Sequence, residues 1–220
     1  MSVFEKMLER ENIAAFLDSA EREKKMHDDE RVSCRAYLRS EEFRDNVLAL
    51  KRGDYYMSVP KKRFLRKQYN TKLRPLYIFE ENERFLMRYM CTFLHEYDDR
   101  FYDGVLSFCK SRNLINEVTA INRIYDCSSD YVTHLDVSSY GMSIVPEKLV
   151  SALEKIVEDT ELMNFFRWII LRRRAVIDGR ECDDNTGALP GIGIHALFLN
   201  AYLAEIDFKY EKLTKRYARY

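Results

Sequence analysis

Turn-forming residues are scarce in this chain of 220 residues, which contains only 7 Gly and 4 Pro. Because tight turns depend on these two residues, their scarcity predicts a helix-rich fold with few hairpins. No run of about 18 apolar residues occurs, so the sequence predicts no membrane-spanning segment. The N-terminal stretch is charged and helix-forming, which does not fit an apolar signal segment.

Cysteine pairs are missing as well. The five cysteines are Cys34, Cys91, Cys109, Cys127 and Cys182. Their odd number, wide spacing and lack of any Cys-x-x-Cys pair argue against a disulfide framework and against a zinc site. Unpaired thiols suit a reducing compartment, so we expect a cytoplasmic protein.

Neither sign of charge is in excess, because Lys plus Arg total 36 and Asp plus Glu total 36. Net charge therefore speaks neither for nor against a nucleic-acid partner, and only its local distribution is informative. Hydrophobic residues make up 46% of the chain, with 15 Tyr and 13 Phe, which is ample for a large core.

Basic side chains are concentrated in residues 61–74, where seven of fourteen residues are basic and none is acidic. The pattern predicts a basic hairpin with strands at 55–59 and 74–79, and with Phe64 and Tyr69 between the cations. Such a hairpin suits a nucleic-acid backbone, because cations displace counterions and rings stack on bases. An ordinary solvated hairpin accounts for the pattern about equally well.

Two further stretches could carry a site. Residues 131–135 are strand formers and end at Asp136, a position where a carboxylate can hold a divalent metal, although such an Asp is more often a turn residue. Residues 187–193 contain three of the seven glycines directly before a predicted helix with an apolar side at Leu199, Leu203, Ile206 and Tyr210. Glycines in this position let a phosphate or a base approach the backbone closely, but the spacing does not fit a dinucleotide-binding fold.

The order and spacing of three segments matter more than any one of them. Their residues are Asp136, Tyr140 and Ser143-Ile144, then Leu189-Pro190-Gly191, Asn200, Tyr202-Leu203 and Ile206-Asp207, and finally Tyr217-Ala218-Arg219-Tyr220. This order resembles the first and second catalytic blocks of bacterial reverse transcriptases and the lead-in to their third block. The basic hairpin is similar to their fingers strands. The resemblance covers residues 55–220 and looks closer to retron, group II intron and abortive-infection relatives than to retroviral enzymes.

The resemblance implies an α+β fold, with helix-rich right-hand polymerase fingers, a partial palm and a small antiparallel sheet packed on helices. Residues 1–54 would form an N-terminal helical region, residues 55–130 a fingers-like region and residues 131–220 the partial palm. The implied activity is RNA-directed DNA polymerisation. It would use an RNA template, a DNA or RNA primer, deoxynucleoside triphosphates, and Mg²⁺ or Mn²⁺ as cofactor.

The resemblance also implies roles for individual residues. Asp136 would be the catalytic carboxylate and a metal ligand. The nucleotide-binding residues would be Lys72, Arg74, Tyr140 and Gly141. The template–primer contacts would be Arg63, Arg66, Pro190, Gly191 and Gly193. Gly141 stands where the family often carries Phe or Tyr, whose side chain excludes the 2′-hydroxyl of a ribonucleotide. Because glycine has no such side chain, we expect an open gate, which discriminates poorly between deoxynucleotides and ribonucleotides.

Several features depart from the family pattern. Pro190 and Gly191 are adjacent, without the usual polar residue between them, and His195 stands where Ser is common. The Asp-Asp pair of the third block is not among the 220 residues. A non-catalytic nucleic-acid-binding or assembly module with the same fold therefore remains an alternative, as does a helical interaction protein with no nucleic-acid partner.

We expect the natural reading frame to continue after Tyr220 with one small residue followed by two aspartates, because residues 217–220 match the lead-in to the third block. Sequencing the gene beyond this codon is the measurement. A stop codon at that point, with no partner chain to supply the carboxylates, would contradict the polymerase hypothesis.

Overall fold

The computed structural model describes residues 1–23, 26–66, 73–110, 112, 114–126, 128–185 and 187–219. The helices of these residues are α1 (Val3–Met7), α2 (Arg10–Glu23), α3 (Asp28–Leu38), α4 (Glu41–Arg52), α5 (Glu81–Leu94), α6 (Leu114–Ile124), α7 (Tyr140–Ser143), α8 (Pro146–Leu153), α9 (Thr160–Leu171) and α10 (His195–Leu213). A 3-10 helix, His95–Arg100, directly follows α5. The strands are β1 (Lys61–Arg66), β2 (Leu73–Ile78), β3 (Arg174–Ile177) and β4 (Arg180–Asp183). The predicted abundance of helix is confirmed.

Local capping chemistry sets the helix boundaries. Ser40 precedes α4, and its hydroxyl accepts a hydrogen bond from the Phe43 N–H at 3.1 Å. Gly53 ends the same helix in the left-handed conformation, with φ of 77°, which costs glycine little. Pro146 occupies the first position of α8, where no N–H is needed. Asp159 caps α9 by accepting from the Leu162 N–H at 3.0 Å.

Aromatic side chains of α5 form the centre of the core. Tyr89 is fully buried, and its ring lies 5.1 Å from Phe16 of α2, 6.0 Å from Phe43 of α4 and 5.2 Å from Phe93. Edge-to-face and tilted contacts of this kind add to the free energy of burial. A perpendicular pair, Phe166 and Phe198 at 5.2 Å, extends the core from α9 to α10.

The four strands form one open, mixed sheet in the order β2-β1-β3-β4. β1 pairs antiparallel with β2, and β3 pairs antiparallel with β4. The α+β class is confirmed, but the prediction of an antiparallel sheet is wrong, because β1 and β3 are parallel through Lys61 and Val176. A parallel pair requires a long crossover, and here the chain passes through α5 to α9 before it returns.

The predicted first strand of the basic hairpin is displaced. Residues 55–59 are not a strand, and β1 begins at Lys61. The reason lies in side-chain hydrogen bonds, because the Arg172 guanidinium donates to the Met57 and Ser58 carbonyls. The Ser58 N–H in turn donates to the buried carboxylate of Glu83. These side chains satisfy backbone groups that a neighbouring strand would otherwise have to satisfy.

The β3–β4 hairpin follows α9 and was not among the strands predicted from the sequence. Asp178 and Gly179 form its two-residue turn with φ of 49° and 79°. Two positive φ angles are typical of the turn that Asp-Gly favours between antiparallel strands. This dipeptide was the available signal for the hairpin.

A buried ion pair joins the two hairpins. Lys62 Nζ lies 2.9 Å from both carboxylate oxygens of Asp184, and both side chains are 7% exposed. The Tyr77 hydroxyl also donates to Asp184 at 2.6 Å. Removing one member of such a pair typically costs about 3–5 kcal/mol, because a buried charge is left without compensation. Lys62, one of the seven basic residues of segment 61–74, therefore stabilises the contact between the two hairpins.

No helix in the described part of the chain is long and apolar enough to cross a membrane. The predicted division into residues 1–54, 55–130 and 131–220 stays a prediction.

Candidate nucleic-acid interface

Two unpaired arginines share one face of the basic hairpin. Arg63 lies opposite Leu76, and Leu65 lies opposite Arg74, so the two arginines are diagonal neighbours roughly 7 Å apart. Both are exposed, and neither forms an ion pair with another described residue. Lys72, the other cation predicted to meet the nucleotide, lies outside the described residues.

The opposite face of the hairpin carries Lys62, Phe64 and Arg66, because successive side chains of a strand point to opposite sides. Lys62 Nζ lies 5.7 Å from the Phe64 ring and 5.3 Å from the Tyr77 ring, while its charge is neutralised by Asp184. The sequence grouped Arg63 with Arg66 as template contacts. The strand places them on different faces, and their role as template contacts stays a prediction.

The glycine-rich loop, residues 187–193, reaches the outer edge of β2. The Pro190 carbonyl accepts from the Tyr77 N–H at 2.8 Å. Gly191 has φ of +106°, and a Cβ at this position would lie 2.4 Å from Leu76 Cδ1. The loop therefore contacts the residue that lies opposite Arg63, and only glycine allows this close approach.

The same loop is also attached to α7 and α5. The Ala188 N–H donates to the Gly141 carbonyl at 3.1 Å, and a Cβ on Gly187 would lie 1.9 Å from that oxygen. On the other side, the Cys91 thiol of α5 donates to the Gly193 carbonyl at 3.2 Å. The structure thus brings together Gly141, the Pro190–Gly191 segment and β2, which the sequence had connected only through the resemblance.

Tyr140 and Gly141 begin the one-turn helix α7. The Tyr140 hydroxyl donates to the Leu199 carbonyl at 2.6 Å, and burial raises the pKa of this hydroxyl. A Cβ on Gly141 would lie 3.4 Å from His195 Nε2. The space beside Gly141 is therefore already occupied on this side by an imidazole, and the open gate stays a prediction.

Asp136 is not at the end of a buried strand. Residues 131–137 pair with no described strand, and their side chains are exposed, with Tyr131 at 99% and Leu135 at 72%. Strand propensity alone does not make a strand, because its backbone groups need a partner strand. In the described part of the chain no group of three or more His, Cys, Asp or Glu side chains could hold a metal ion. The described residues therefore do not fit a two-metal centre, and Asp136 as a ligand of Mg²⁺ or Mn²⁺ stays a prediction.

A buried polar network was missed by the sequence reasoning. Asp207 is fully buried and accepts from Arg219 Nε at 2.9 Å and Nη2 at 2.7 Å. Asn200, two turns before Asp207 on the same face of α10, accepts from Arg219 Nη1 at 3.1 Å and donates to the Ser107 carbonyl at 2.9 Å. Burial lowers the pKa of Arg219, but the hydrogen bonds and the charge of Asp207 outweigh this and raise it. The network holds the C-terminal segment beside Val105, where Arg219 forms a parallel bridge.

The prediction of which side of α10 is apolar is partly wrong, because the network of Asn200, Asp207 and Arg219 lies on the side that is buried. Ile206 and Tyr210 are exposed, at 45% and 38%. The buried residues of α10 are Leu197, Phe198, Asn200, Ala201, Ala204 and Asp207. Asn200 and Asp207 are seven residues apart on one face, and this spacing of two polar residues was the signal for a buried polar contact.

No protein-family model matches the chain, and no curated protein sequence is significantly similar to it.

Replacing Gly191 by Ala should destabilise the protein more than replacing Gly179 by Ala. Both residues have positive φ, so each change costs about 1–2 kcal/mol of backbone strain. Gly179 has open space around it, whereas the new methyl group at Gly191 would collide with Leu76, which adds about 1–3 kcal/mol. Urea unfolding of both variants measures the difference. Equal losses would show that the loop does not depend on close contact with β2.

Acid should destabilise the fold through His195. Its Nε2 is buried without a hydrogen-bond partner among the described residues, and burial lowers the pKa of the imidazole to about 4. The unfolded chain, with a His pKa of about 6.5, binds the proton first, so the free energy of unfolding falls as the pH drops from about 6.5 to 4.

Between pH 7 and pH 5 this loss amounts to about 2 kcal/mol. Urea unfolding at both pH values should show that His195→Asn removes most of this dependence. His27→Asn, at an exposed histidine before α3, is the control and should leave it unchanged. A wild-type pH dependence in His195→Asn would exclude the imidazole as the cause.

Proposed function

We propose that the chain is the fingers and part of the palm of an RNA-directed DNA polymerase of the bacterial reverse-transcriptase type. The observation that carries the proposal is the meeting of segments distant in sequence. The Tyr77 N–H of the basic hairpin donates a hydrogen bond to the Pro190 carbonyl, and the Ala188 N–H donates one to the Gly141 carbonyl. In the proposed enzyme, the 3′-hydroxyl of a DNA or RNA primer on an RNA template attacks the α-phosphate of a deoxynucleoside triphosphate, which forms a phosphodiester bond and releases pyrophosphate.

The hairpin supplies the electrostatic part of the proposal. Arg63 and Arg74 are exposed cations on one face, and the glycine loop contacts Leu76 on that face. Phosphates bound there would displace counterions, which favours binding at low salt. Pro190, Gly191 and Gly193 would lie close to the template–primer end on the strength of the resemblance alone.

Asp136 is the proposed catalytic carboxylate and ligand of Mg²⁺ or Mn²⁺, on the strength of the resemblance alone. A metal pair of this kind would stabilise the charge that develops on the transferred phosphate. The proposal also places the protein in the cytoplasm, because four cysteines in the described part of the chain are free thiols.

A second candidate function is a non-catalytic nucleic-acid-binding or assembly module. It is favoured by the lack of a carboxylate cluster among the described residues. Such a module would keep the binding face of the hairpin and the glycine loop without catalysing polymerisation. The two candidates make the same prediction for binding and opposite predictions for nucleotide incorporation.

Binding of a labelled RNA template annealed to a DNA primer, measured by fluorescence anisotropy over a range of salt concentrations, tests the shared part. Arg63→Ala and Arg74→Ala should each weaken binding and lower the slope of log K against log salt by about 0.9, as expected for one lost phosphate contact. Arg174→Ala is the matched control. Arg174 belongs to the same sheet, but its charge is paired with Glu181 at 3.1 Å and Asp183 at 3.4 Å. An equal effect of Arg174→Ala would argue against a specific binding face.

Primer extension with Mg²⁺ or Mn²⁺ separates the two candidates when it is measured on a chain extended past Tyr220 to include the two aspartates, because the 220 residues alone lack that pair and should be inactive under either candidate. Incorporation of deoxynucleotides by the extended chain that Asp136→Asn abolishes, with binding unchanged, would support the polymerase. Binding without incorporation by the extended chain would support the module.

A further inference from the structure

The one-turn helix α7 is held to the rest of the fold at only a few points. None of its four residues is buried. The segment before it, residues 131–137, is exposed and pairs with no described strand. An element with little buried surface separates from the fold at a lower cost in free energy than the core does. The few contacts that keep α7 in place therefore control this side of the candidate interface.

Hydrogen bonds connect α7 to the glycine loop and to α10. The Ala188 N–H donates to the Gly141 carbonyl at 3.1 Å, and Ala188 is fully buried. The Tyr140 hydroxyl donates to the Leu199 carbonyl at 2.6 Å. Separation of α7 from the loop would break the first of these bonds and expose the Ala188 N–H to water.

The His195 imidazole, on the first residue of α10, faces α7. A Cβ on Gly141 would lie 3.4 Å from His195 Nε2 and 3.9 Å from Cε1, so the ring fills the space beside Gly141. Nε2 is buried and has no hydrogen-bond partner among the described residues. A protonated ring would place a charged N–H there without an acceptor, which is costly. The N-terminal end of α10 adds to this cost, because the helix dipole is positive there.

The neighbouring elements supply no charge that would compensate an imidazolium at this point. The titratable groups nearby are Tyr140 on α7 and both Cys91 and Arg88 on α5, which contacts the glycine loop. Burial raises the pKa of the Tyr140 hydroxyl and of the Cys91 thiol, so neither becomes an anion near neutral pH. Arg88 is paired with Glu30 at 3.1 Å.

We propose that His195 is an acid-sensitive latch, a side chain that holds α7 on the glycine loop only while its ring is neutral. Protonation of the ring from solvent releases α7, because the imidazolium becomes hydrated only when α7 has moved away. Gly141 then separates from the Pro190–Gly191 segment, while β2 and its arginines stay in place. The proposal concerns the conformation of the site and does not depend on whether the chain adds nucleotides.

The size of the effect follows from the two states of the ring. With α7 released, His195 is solvated and its pKa should be about 6.5. With α7 in place, burial lowers the pKa to about 4. The released state therefore binds the proton first, and its population rises as the pH falls from about 6.5 to 4. Between pH 7 and pH 5 the released fraction should increase about 20-fold.

The simpler explanation is that acid only unfolds the whole chain. Two amides at the glycine loop distinguish the two events. The Ala188 N–H is bonded to Gly141 of α7, whereas the Tyr77 N–H is bonded to the Pro190 carbonyl on the other side of the loop. Release of α7 exposes the first amide and leaves the second protected, whereas global unfolding exposes both to the same extent.

The test measures hydrogen exchange of these two amides by NMR at pH 7 and pH 5, on the 220-residue chain without nucleic acid. Each rate is expressed as a protection factor, which removes the pH dependence of the exchange chemistry itself. In the wild type, the protection of Ala188 should fall about 20-fold, and that of Tyr77 should fall much less. His195→Phe keeps a ring without a titratable nitrogen and should abolish the fall. His134→Asn, at an exposed histidine in the segment before α7, is the matched control and should retain it.

His195→Asn is the second non-titrating variant if His195→Phe does not fold. Unchanged protection of Ala188 in the wild type would overturn the latch, and so would an equal fall at Tyr77. A wild-type fall in a folded His195 variant would overturn it as well. Because the measurement uses no nucleic acid, any of these results leaves the proposed function standing. Conversely, primer–template binding that does not depend on Arg63 would count against the proposed function and leave the latch intact.

Discussion

The close approach of three backbone segments at the glycine loop is the constraint on which the candidate interface depends. Gly187 lies against the Gly141 carbonyl, and Gly191 lies against Leu76, at distances that leave no room for a side chain. The hydrogen bonds from Ala188 to Gly141 and from Tyr77 to Pro190 form only because these contacts are so short. The relative position of the hairpin and α7 therefore depends on Gly187 and Gly191, because a side chain at either position would collide with its neighbour.

Charge is distributed by the fold even though the chain has no net charge. Buried carboxylates neutralise those cations that have structural roles, as Asp184 does for Lys62 and Asp207 does for Arg219. Arg63 and Arg74, on one face of the hairpin, form no ion pair with another described residue, and exposed cations such as Arg39, Arg44 and Arg180 are likewise without one elsewhere on the surface. Composition cannot reveal this separation, because it counts paired and unpaired charges alike.

Features that depend on near neighbours in sequence were predictable, whereas features that depend on distant partners were not. Local contacts within one or two turns begin α4 at Ser40 and α8 at Pro146. The helical spacing of the apolar residues in α5 likewise indicates that helix from its own sequence. The start of β1 depends instead on Arg172, which is more than one hundred residues away and donates hydrogen bonds to the carbonyls of residues 57 and 58. The buried side of α10 depended on Arg219. In the candidate site, Gly141, Pro190 and β2 lie close together, and the roles that the resemblance implies for them stay predictions. The separation of Arg63 from Arg66 could be seen only from the strand register.

The position of the proposed catalytic carboxylate, Asp136, also depends on partners that are distant in sequence. Its neighbours have high strand propensity, yet in the described chain their backbone meets no partner strand and the segment is exposed. A carboxylate contributes to a metal centre only when other ligands are held at fixed distances from it. The glycine loop and the hairpin are already held in this way by hydrogen bonds, whereas the position of Asp136 is not. Binding of nucleic acid therefore places fewer demands on the described residues than catalysis does, because cations on one face act without a fixed metal geometry.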